Sequence, residues 1–141
     1  MIDFGCHRLE ILTNLFGRVQ RVEGVVSNKV LGREVEDTAI ASLKFENGTC
    51  ACVTVTHAAG EPQDTLDIYG IRGSIHVPIL NSGEMTVNIG GDIRNESLPP
   101  ARNLHEPLIA QFSECVLQNT APEVSGECGR EIASLIDRIY A

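Results

Sequence analysis

The sequence has no long apolar run and no targeting segment. None of its apolar stretches approaches the roughly 20 residues that are needed to cross a bilayer. The first residues, Met1–Phe4, contain neither the positively charged region nor the apolar region of a secretory signal peptide. We therefore expect a soluble, cytoplasmic protein without a membrane partner.

Positive charge is also scarce. The 141 residues include 11 Lys and Arg against 19 Asp and Glu, which gives a formal net charge of -8, and the basic residues are scattered singly along the sequence. An acidic protein without a basic stripe repels polyanions. This charge pattern argues against nucleic acid and acidic membrane surfaces as partners.

The five cysteines do not follow the regular framework of a small secreted, disulfide-linked protein. Cys50 and Cys52 would share one face of a strand, and together with His57 they suggest a metal site. No second cysteine pair completes a set of four ligands, so we expect no metal and interpret both as buried, reduced thiols. Cys6 adjoins His7, but adjacent helical residues point about 100° apart, which argues against a thiol nucleophile there.

Apolar spacing predicts helices at the two ends of the chain and strands between them. A first helix over His7–Phe16 should stop at Gly17, a second should end near Asn119, and Ser125 should cap a closing helix. Between them, β-branched runs separated by turn residues predict about six strands, and the Asn47-Gly48 pair is a strong hairpin signal. This order predicts an α+β fold.

The predicted architecture is one domain over residues 1–141, with a largely antiparallel open sheet and helices packed on one face. Neither face of the hairpin formed by Ala39–Phe45 and Thr49–Thr56 is strongly charged. A sheet face of this kind usually packs against something, and the helices account for only one of the two faces. We therefore expect the other face to be an oligomer interface, most simply that of a homodimer.

Asp3 and His7 are the first candidate functional pair. They stand four residues apart, so both would project from one side of a helical turn. A carboxylate beside an imidazole can handle protons, because it orients the ring, which exchanges a proton near neutral pH. The alternative interpretation is that Asp3 caps the helix and His7 is an ordinary surface residue.

Several segments together resemble one protein family. The first, Asp3–Leu12, resembles the D-x-G-x-H-x-[LI]-D segment of the Gfo/Idh/MocA dehydrogenases. Further segments resemble the second domain of that family in the same order: Val35–Ala39, Phe45–Gly48, Ile68–Ile75, Val124–Glu131 and Ile136–Tyr140. The resemblance covers nearly the whole chain and is therefore more specific than any one motif.

The resemblance implies roles for four residues. It implies that Asp3 and His7 face a substrate pocket, where His7 acts as acid or base toward a substrate hydroxyl and Asp3 supports it. It also implies that Asn103 and His105 approach the active-site side and contact the substrate. The alternative for these two is a loop that starts the second long helix, with Asn103 as its cap.

The resemblance implies a cofactor that this chain does not itself hold. Family members use NAD or NADP, bound by a Rossmann domain with an E-K-P segment, and no E-K-P occurs here. No G-x-G-x-x-G follows a predicted strand, because Gly70, Gly73, Gly126 and Gly129 are spaced differently. We therefore expect no cofactor bound by this chain alone.

Two hypotheses about function follow. In the first, the chain is the substrate-binding and oligomerisation half of a sugar or polyol dehydrogenase, inactive without a Rossmann domain on a missing or separate segment. In the second, it is a non-catalytic module that self-associates or binds a small ligand. If Met1 is the natural start of the protein, its closeness to the Asp3 motif leaves no room for an upstream Rossmann domain and favours the second hypothesis. If Met1 is instead the boundary of a piece of a longer protein, the first hypothesis is not disfavoured.

Overall fold

The computed structural model describes residues 3–141 and has the α+β composition that the sequence predicts. The elements in chain order are α1 (Gly5–Phe16), β1 (Val19–Ser27), β2 (Thr38–Phe45), β3 (Cys50–Thr56), β4 (Leu66–Gly70), β5 (Gly73–Val77), β6 (Glu84–Ile89), β7 (Asp92–Ser97), α2 (Glu106–Gln118) and α3 (Gly126–Tyr140). None of the helices within residues 3–141 has the length and apolar character of a membrane span.

The strands form two antiparallel sheets. One has the order β1-β2-β3, and the other has the order β4-β5-β6-β7. The chain accordingly divides into two compact units: the first comprises the residues up to Gly60 and Glu123–Ala141, and the second comprises Glu61–Pro122. The α+β class and the antiparallel pairing are confirmed, with seven strands in two sheets where the sequence suggests about six in one.

The core of the first unit lies between its sheet and two helices. Ala39, Ala41, Leu43 and Phe45 alternate along β2 and are buried on the same face of the sheet. On this face, α3 packs over β1, while α1 contacts both α3 and β3. Helices α1 and α3 therefore cover one face of this sheet, as predicted.

The contact between α3 and β1 depends on a glycine. A Cβ atom on Gly24 would lie 2.3 Å from the carbonyl oxygen of Ile139 in α3, well inside van der Waals contact. Gly24 pairs with Ala41 of β2, so small residues occupy neighbouring strands beneath the helix. This pair of small residues lets the helix backbone approach the sheet closely.

The hairpin between β2 and β3 forms where the Asn-Gly pair predicts it. Gly48 has a φ of 88°, and the backbone N–H of Phe45 donates to the carbonyl of Thr49 at 2.8 Å. The Asn47 side chain accepts from the N–H of Thr49 at 2.9 Å and donates to the carbonyl of Phe16 at 2.9 Å. The turn is thus also tied to the end of α1.

The outward face of the first sheet is mixed in character. Cys50 and Cys52 lie on it and are exposed, so the prediction that they are buried is wrong. The pleat explains this, because alternation along β3 turns Val53 toward the core and the even-numbered residues away from it. On the same face, Val25 and Ile40 are cross-strand neighbours and both are exposed.

The second unit presents a polar row across its sheet. Asp67, His76, Thr86 and Asn95 are successive cross-strand neighbours on β4 to β7. Nδ1 of His76 lies 2.7 Å from Oδ1 of Asp67, and the Thr86 hydroxyl donates to the Asn95 side-chain oxygen at 2.9 Å. The other face of this sheet is more apolar and includes the buried Val87.

Helix α2 belongs to the second unit and follows the predicted helical period. It ends at Asn119, whose left-handed conformation allows its N–H to bond the carbonyls of the last turn. Cys115 is the buried residue of this helix. The exposed large apolar side chains of α2 are Leu108, Ile109, Phe112, Val116 and Leu117.

Candidate functional site

Asp3 and Phe4 form the turn that leads into α1. Phe4 occupies the N-cap position, and no side chain caps the helix there. The thiol of Cys6 instead contacts the backbone carbonyl of Asp3 at 3.0 Å. The alternative in which Asp3 caps α1 is therefore wrong, and its exposed carboxylate is available for other contacts.

The Asp3 carboxylate faces a histidine that lies far away in the sequence. Oδ2 of Asp3 is 3.8 Å from Nε2 of His57, which directly follows β3. The rings of Phe4 and His57 are in contact, with centroids 5.3 Å apart and planes inclined by 52°. The start of α1 and the end of β3 thus bring together a carboxylate, an imidazole and an aromatic ring, which we call the Asp3–His57 site.

His57 is held in place through its backbone. Its N–H donates to the carbonyl of Asp37 at 2.8 Å, and the hydroxyl of the preceding Thr56 approaches the same carbonyl at 3.2 Å. The Thr56 hydroxyl also lies 2.9 Å from that of Thr38 on the neighbouring strand. These bonds fix the position at which the imidazole leaves the sheet.

Asp37 is the buried centre of this support. Its carboxylate accepts backbone N–H groups from Leu31 at 2.8 Å and Val30 at 2.9 Å, and the Thr38 hydroxyl at 3.0 Å. The hydrogen bond from Leu31 lowers the pKa of Asp37, and those from Thr38 and Val30 add to this, although desolvation acts in the opposite direction. The ionised carboxylate therefore holds the loop before β2.

His7 lies in the first turn of α1 and is exposed. Within residues 3–141, no hydrogen bond or ion pair joins it to Asp3, and the Asp3 carboxylate instead lies near the imidazole of His57. From the sequence, His57 is considered only with Cys50 and Cys52 as part of a metal site, and its contact with Asp3 is not predicted. A tertiary contact of this kind leaves no local signal in the sequence.

Asn103 and His105 lie in the second unit, before α2. The Asn103 side chain accepts the N–H of His105 at 3.0 Å, and its carbonyl accepts the N–H of Glu106 at 3.0 Å. His105 itself occupies the N-cap position of α2, and no side chain caps the helix. The alternative of Asn103 as helix cap is thus wrong in detail, since Asn103 closes the preceding turn. The role of both residues toward a substrate stays a prediction.

The glycine pairs do not fit a dinucleotide. Gly70 and Gly73 enclose the turn between the antiparallel strands β4 and β5, and Gly126 and Gly129 lie inside α3. A pyrophosphate site requires a glycine-rich turn from a strand into a helix N-terminus. Neither pair has that context. Over residues 3–141 there is also no cluster of three or more His, Cys, Asp or Glu side chains suited to a metal ion.

The fold is shared with solved dehydrogenase structures. An aldose-aldose oxidoreductase from Caulobacter crescentus superposes with a TM-score of 0.86 at 25% identity, and the match covers 98% of this chain and 43% of that one. UDP-N-acetylglucosamine 3-dehydrogenase from Acidithiobacillus ferrooxidans gives a TM-score of 0.85 at 19% identity, and the match covers 98% of this chain and 45% of that one. Levoglucosan dehydrogenase in complex with NADH and levoglucosan gives a TM-score of 0.85 at 20% identity, and the match covers 98% of this chain and 46% of that one.

The chain spans less than half the length of each matched structure. Its fold is therefore that of one domain within larger oxidoreductases. The sequence profile of the GFO/IDH/MocA C-terminal domain matches residues 1–76. The chain therefore belongs to the GFO/IDH/MocA C-terminal domain family. None of the curated proteins compared with the sequence matches it significantly.

Proposed function

We propose that the chain is the substrate-side half of an NAD(P)-dependent sugar or polyol dehydrogenase. The observation that carries this proposal is the Asp3–His57 site, with His7 on the adjoining turn, in a domain of an oxidoreductase family. Matched structures that are described as acting on sugars or sugar derivatives support the choice of substrate class.

The proposed chemical task of these side chains is proton transfer. Oxidation of a carbinol requires a base to take the hydroxyl proton, and imidazole is suited to this because it changes charge near neutral pH. In the proposal, His7 exchanges the proton and the Asp3–His57 pair orients the hydroxyl beside it. Asn103 and His105 are the further residues that we propose for substrate binding.

The proposal assigns cofactor binding to another part of the enzyme. The glycines of this chain do not form a nucleotide site, so NAD or NADP would require a Rossmann domain on another segment or polypeptide. The chain alone would then bind no cofactor and carry out no oxidation.

The proposal includes a homodimer formed through the outward face of the first sheet. Val25 and Ile40 support it, because 70% and 43% of their surfaces are exposed at adjoining positions on that face. An interface between two copies would remove this apolar surface from water.

A second candidate function is that of a non-catalytic module which binds a small ligand. Two clefts of the first unit favour it, since their linings include none of Asp3, His7 and His57. A ligand held in either cleft would lie apart from the proton-handling side chains.

Complementation distinguishes the two functions. The purified chain would be mixed with a separately expressed Rossmann domain of the family, and NADH or NADPH formation followed over a panel of sugars and polyols. We expect turnover in the mixture and its loss on His7→Ala, by about a hundredfold to ten-thousandfold. The matched control, His76→Ala, changes an exposed histidine of the second unit and should leave turnover intact. Absence of turnover in every mixture would favour the non-catalytic module, whereas equal turnover with the two variants would remove His7 from the proposed site.

A further inference from the structure

Three arginines converge on one cleft of the first unit. Arg18 follows α1, whereas Arg130 and Arg138 belong to α3, and all three line a cleft of about 350 Å³. Thr13 and Ser134 line the same cleft. The basic residues appear singly in the sequence, and only the packing of α3 beside the end of α1 gathers them.

The positive charge in this cleft is largely unneutralised. Within residues 3–141, the guanidinium groups of Arg18 and Arg130 form no ion pair and no hydrogen bond. Arg138 donates one hydrogen bond, to the carbonyl of Gln20 at 3.2 Å, which leaves its other N–H groups available to a ligand. One carboxylate, that of Glu131, also lines the cleft. The chain as a whole is acidic, with 19 Asp and Glu against 11 Lys and Arg. In this cleft the balance is reversed, because three arginines and one glutamate line it.

The donors stand on a rigid support. Arg130, Ser134 and Arg138 are spaced four residues apart, so they form a row about 12 Å long on one side of α3. The core face of α3 is fixed by Ile132, Leu135, Ile136 and Ile139, which are all buried. A site mounted on a packed helix needs little reordering when a ligand binds.

We infer that this cleft binds a hydroxylated phosphate monoester. Guanidinium groups bind phosphate through paired N–H donors, and a monoester carries about 1.5 to 2 negative charges near neutral pH. The carboxylate of Glu131 accepts a hydrogen bond from a hydroxyl of the organic part and disfavours ligands with additional negative charge. The cleft volume falls within the range of small-molecule pockets, and the net charge of -8 opposes a nucleic acid.

The cleft is distinct from the Asp3–His57 site. Thr13 comes six residues after His7 in α1, which places the two about 9 Å apart along the helix axis. Arg18 lies beyond the end of the same helix. Ligand binding here can therefore be measured directly, without any assay of oxidation.

The test is a titration of the purified chain with glucose 6-phosphate, inorganic phosphate and glucose, at constant ionic strength, by calorimetry and amide NMR. We expect glucose 6-phosphate to bind more tightly than inorganic phosphate and to shift the amide signals of Ser134 and its neighbours, while glucose does not bind. The double variant Arg18→Gln/Arg130→Gln should weaken glucose 6-phosphate binding by about tenfold or more.

The matched control is Arg72→Gln/Arg102→Gln. It makes the same change in net charge at two exposed arginines of the second unit, and it should leave the dissociation constant within about twofold. Circular dichroism would verify that both double variants are folded. Equal weakening by the two double variants would overturn the assignment, because it would reveal only a general charge effect. Absence of binding, or equal affinity for the monoester and inorganic phosphate, would also overturn it.

Discussion

The Asp3 carboxylate lies 3.8 Å from Nε2 of His57, and this contact joins the start of α1 to the end of β3. Both side chains are substantially exposed, so the pair adds little to the stability of the fold. Its proposed task is to orient a substrate hydroxyl.

The first prediction separates that role from stability. Asp3→Asn or His57→Gln should change the free energy of unfolding by less than about 1 kcal/mol, because the pair is exposed. In the complemented enzyme, each should lower kcat by roughly tenfold or more, since the hydroxyl is no longer oriented. Urea unfolding and steady-state kinetics measure the two effects. An unchanged kcat in both variants would remove His57 from the proposed site.

The second prediction concerns the close approach of α3 to β1. Gly24→Ala should lower the free energy of unfolding by about 1–3 kcal/mol or more, because its Cβ would overlap the carbonyl oxygen of Ile139. The matched control is Gly129→Ala in α3, where nothing lies within 4 Å of the added carbon. The free energy of unfolding of that variant should rise by about 0.5–1 kcal/mol, because alanine has a higher helix propensity than glycine. Equal effects of the two alanines in thermal unfolding would contradict the described packing.

The third prediction is a pH dependence that originates at Asp37. The pKa of this carboxyl is lowered in the folded protein from its ordinary value of 3.8, chiefly by the hydrogen bond from Leu31. Its stabilising contribution is therefore complete above the pKa of the unfolded chain and is lost as the pH falls through the lower, folded pKa. Asp37→Asn should reduce the acid dependence of unfolding below about pH 4. A variant whose stability falls with acid as steeply as the parent's would contradict this.

The fourth prediction tests the proposed dimer. Ile40→Glu places a charge beside Val25 on the outward face and should shift the chain from dimer to monomer in sedimentation. Leu117→Glu, at a highly exposed apolar position of α2, is the control and should leave the association unchanged. Exposed Cys50 and Cys52 on the same face should also react with a thiol reagent more slowly as the protein concentration rises. A parent chain that is monomeric at tens of micromolar would exclude this interface.

Local signals account for the parts of the fold that the sequence predicts correctly. The Asn47-Gly48 turn and the cap at Ser125 depend on a few adjacent residues, and both are present in the structure. The division into two sheets could not be predicted, because strand runs do not specify which neighbours pair. The error at Cys50 and Cys52 has a similar cause: alternation is visible in the sequence, but the face that becomes buried is decided by the helices.

The candidate site was predictable only in part. Asp3 and His7 belong to one short segment and could be recognised there. The partner of Asp3, His57, reaches it only through the pairing of β2 with β3 and the bond from its N–H to Asp37. The arginine cleft likewise depends on tertiary packing, which brings the distant Arg18 and Arg130 to one surface.

The most direct test of the central claim compares the chain alone with the chain plus a separately expressed Rossmann domain. Nicotinamide reduction would be followed with NAD and NADP over the same panel of sugars and polyols. Holding the reacting groups together can lower the barrier by about 7–11 kcal/mol, and the proposal assigns the nucleotide site that does so to the Rossmann domain. We predict no turnover above background by the chain alone and clear turnover in the mixture. Turnover by the isolated chain, or none in any mixture, would contradict it.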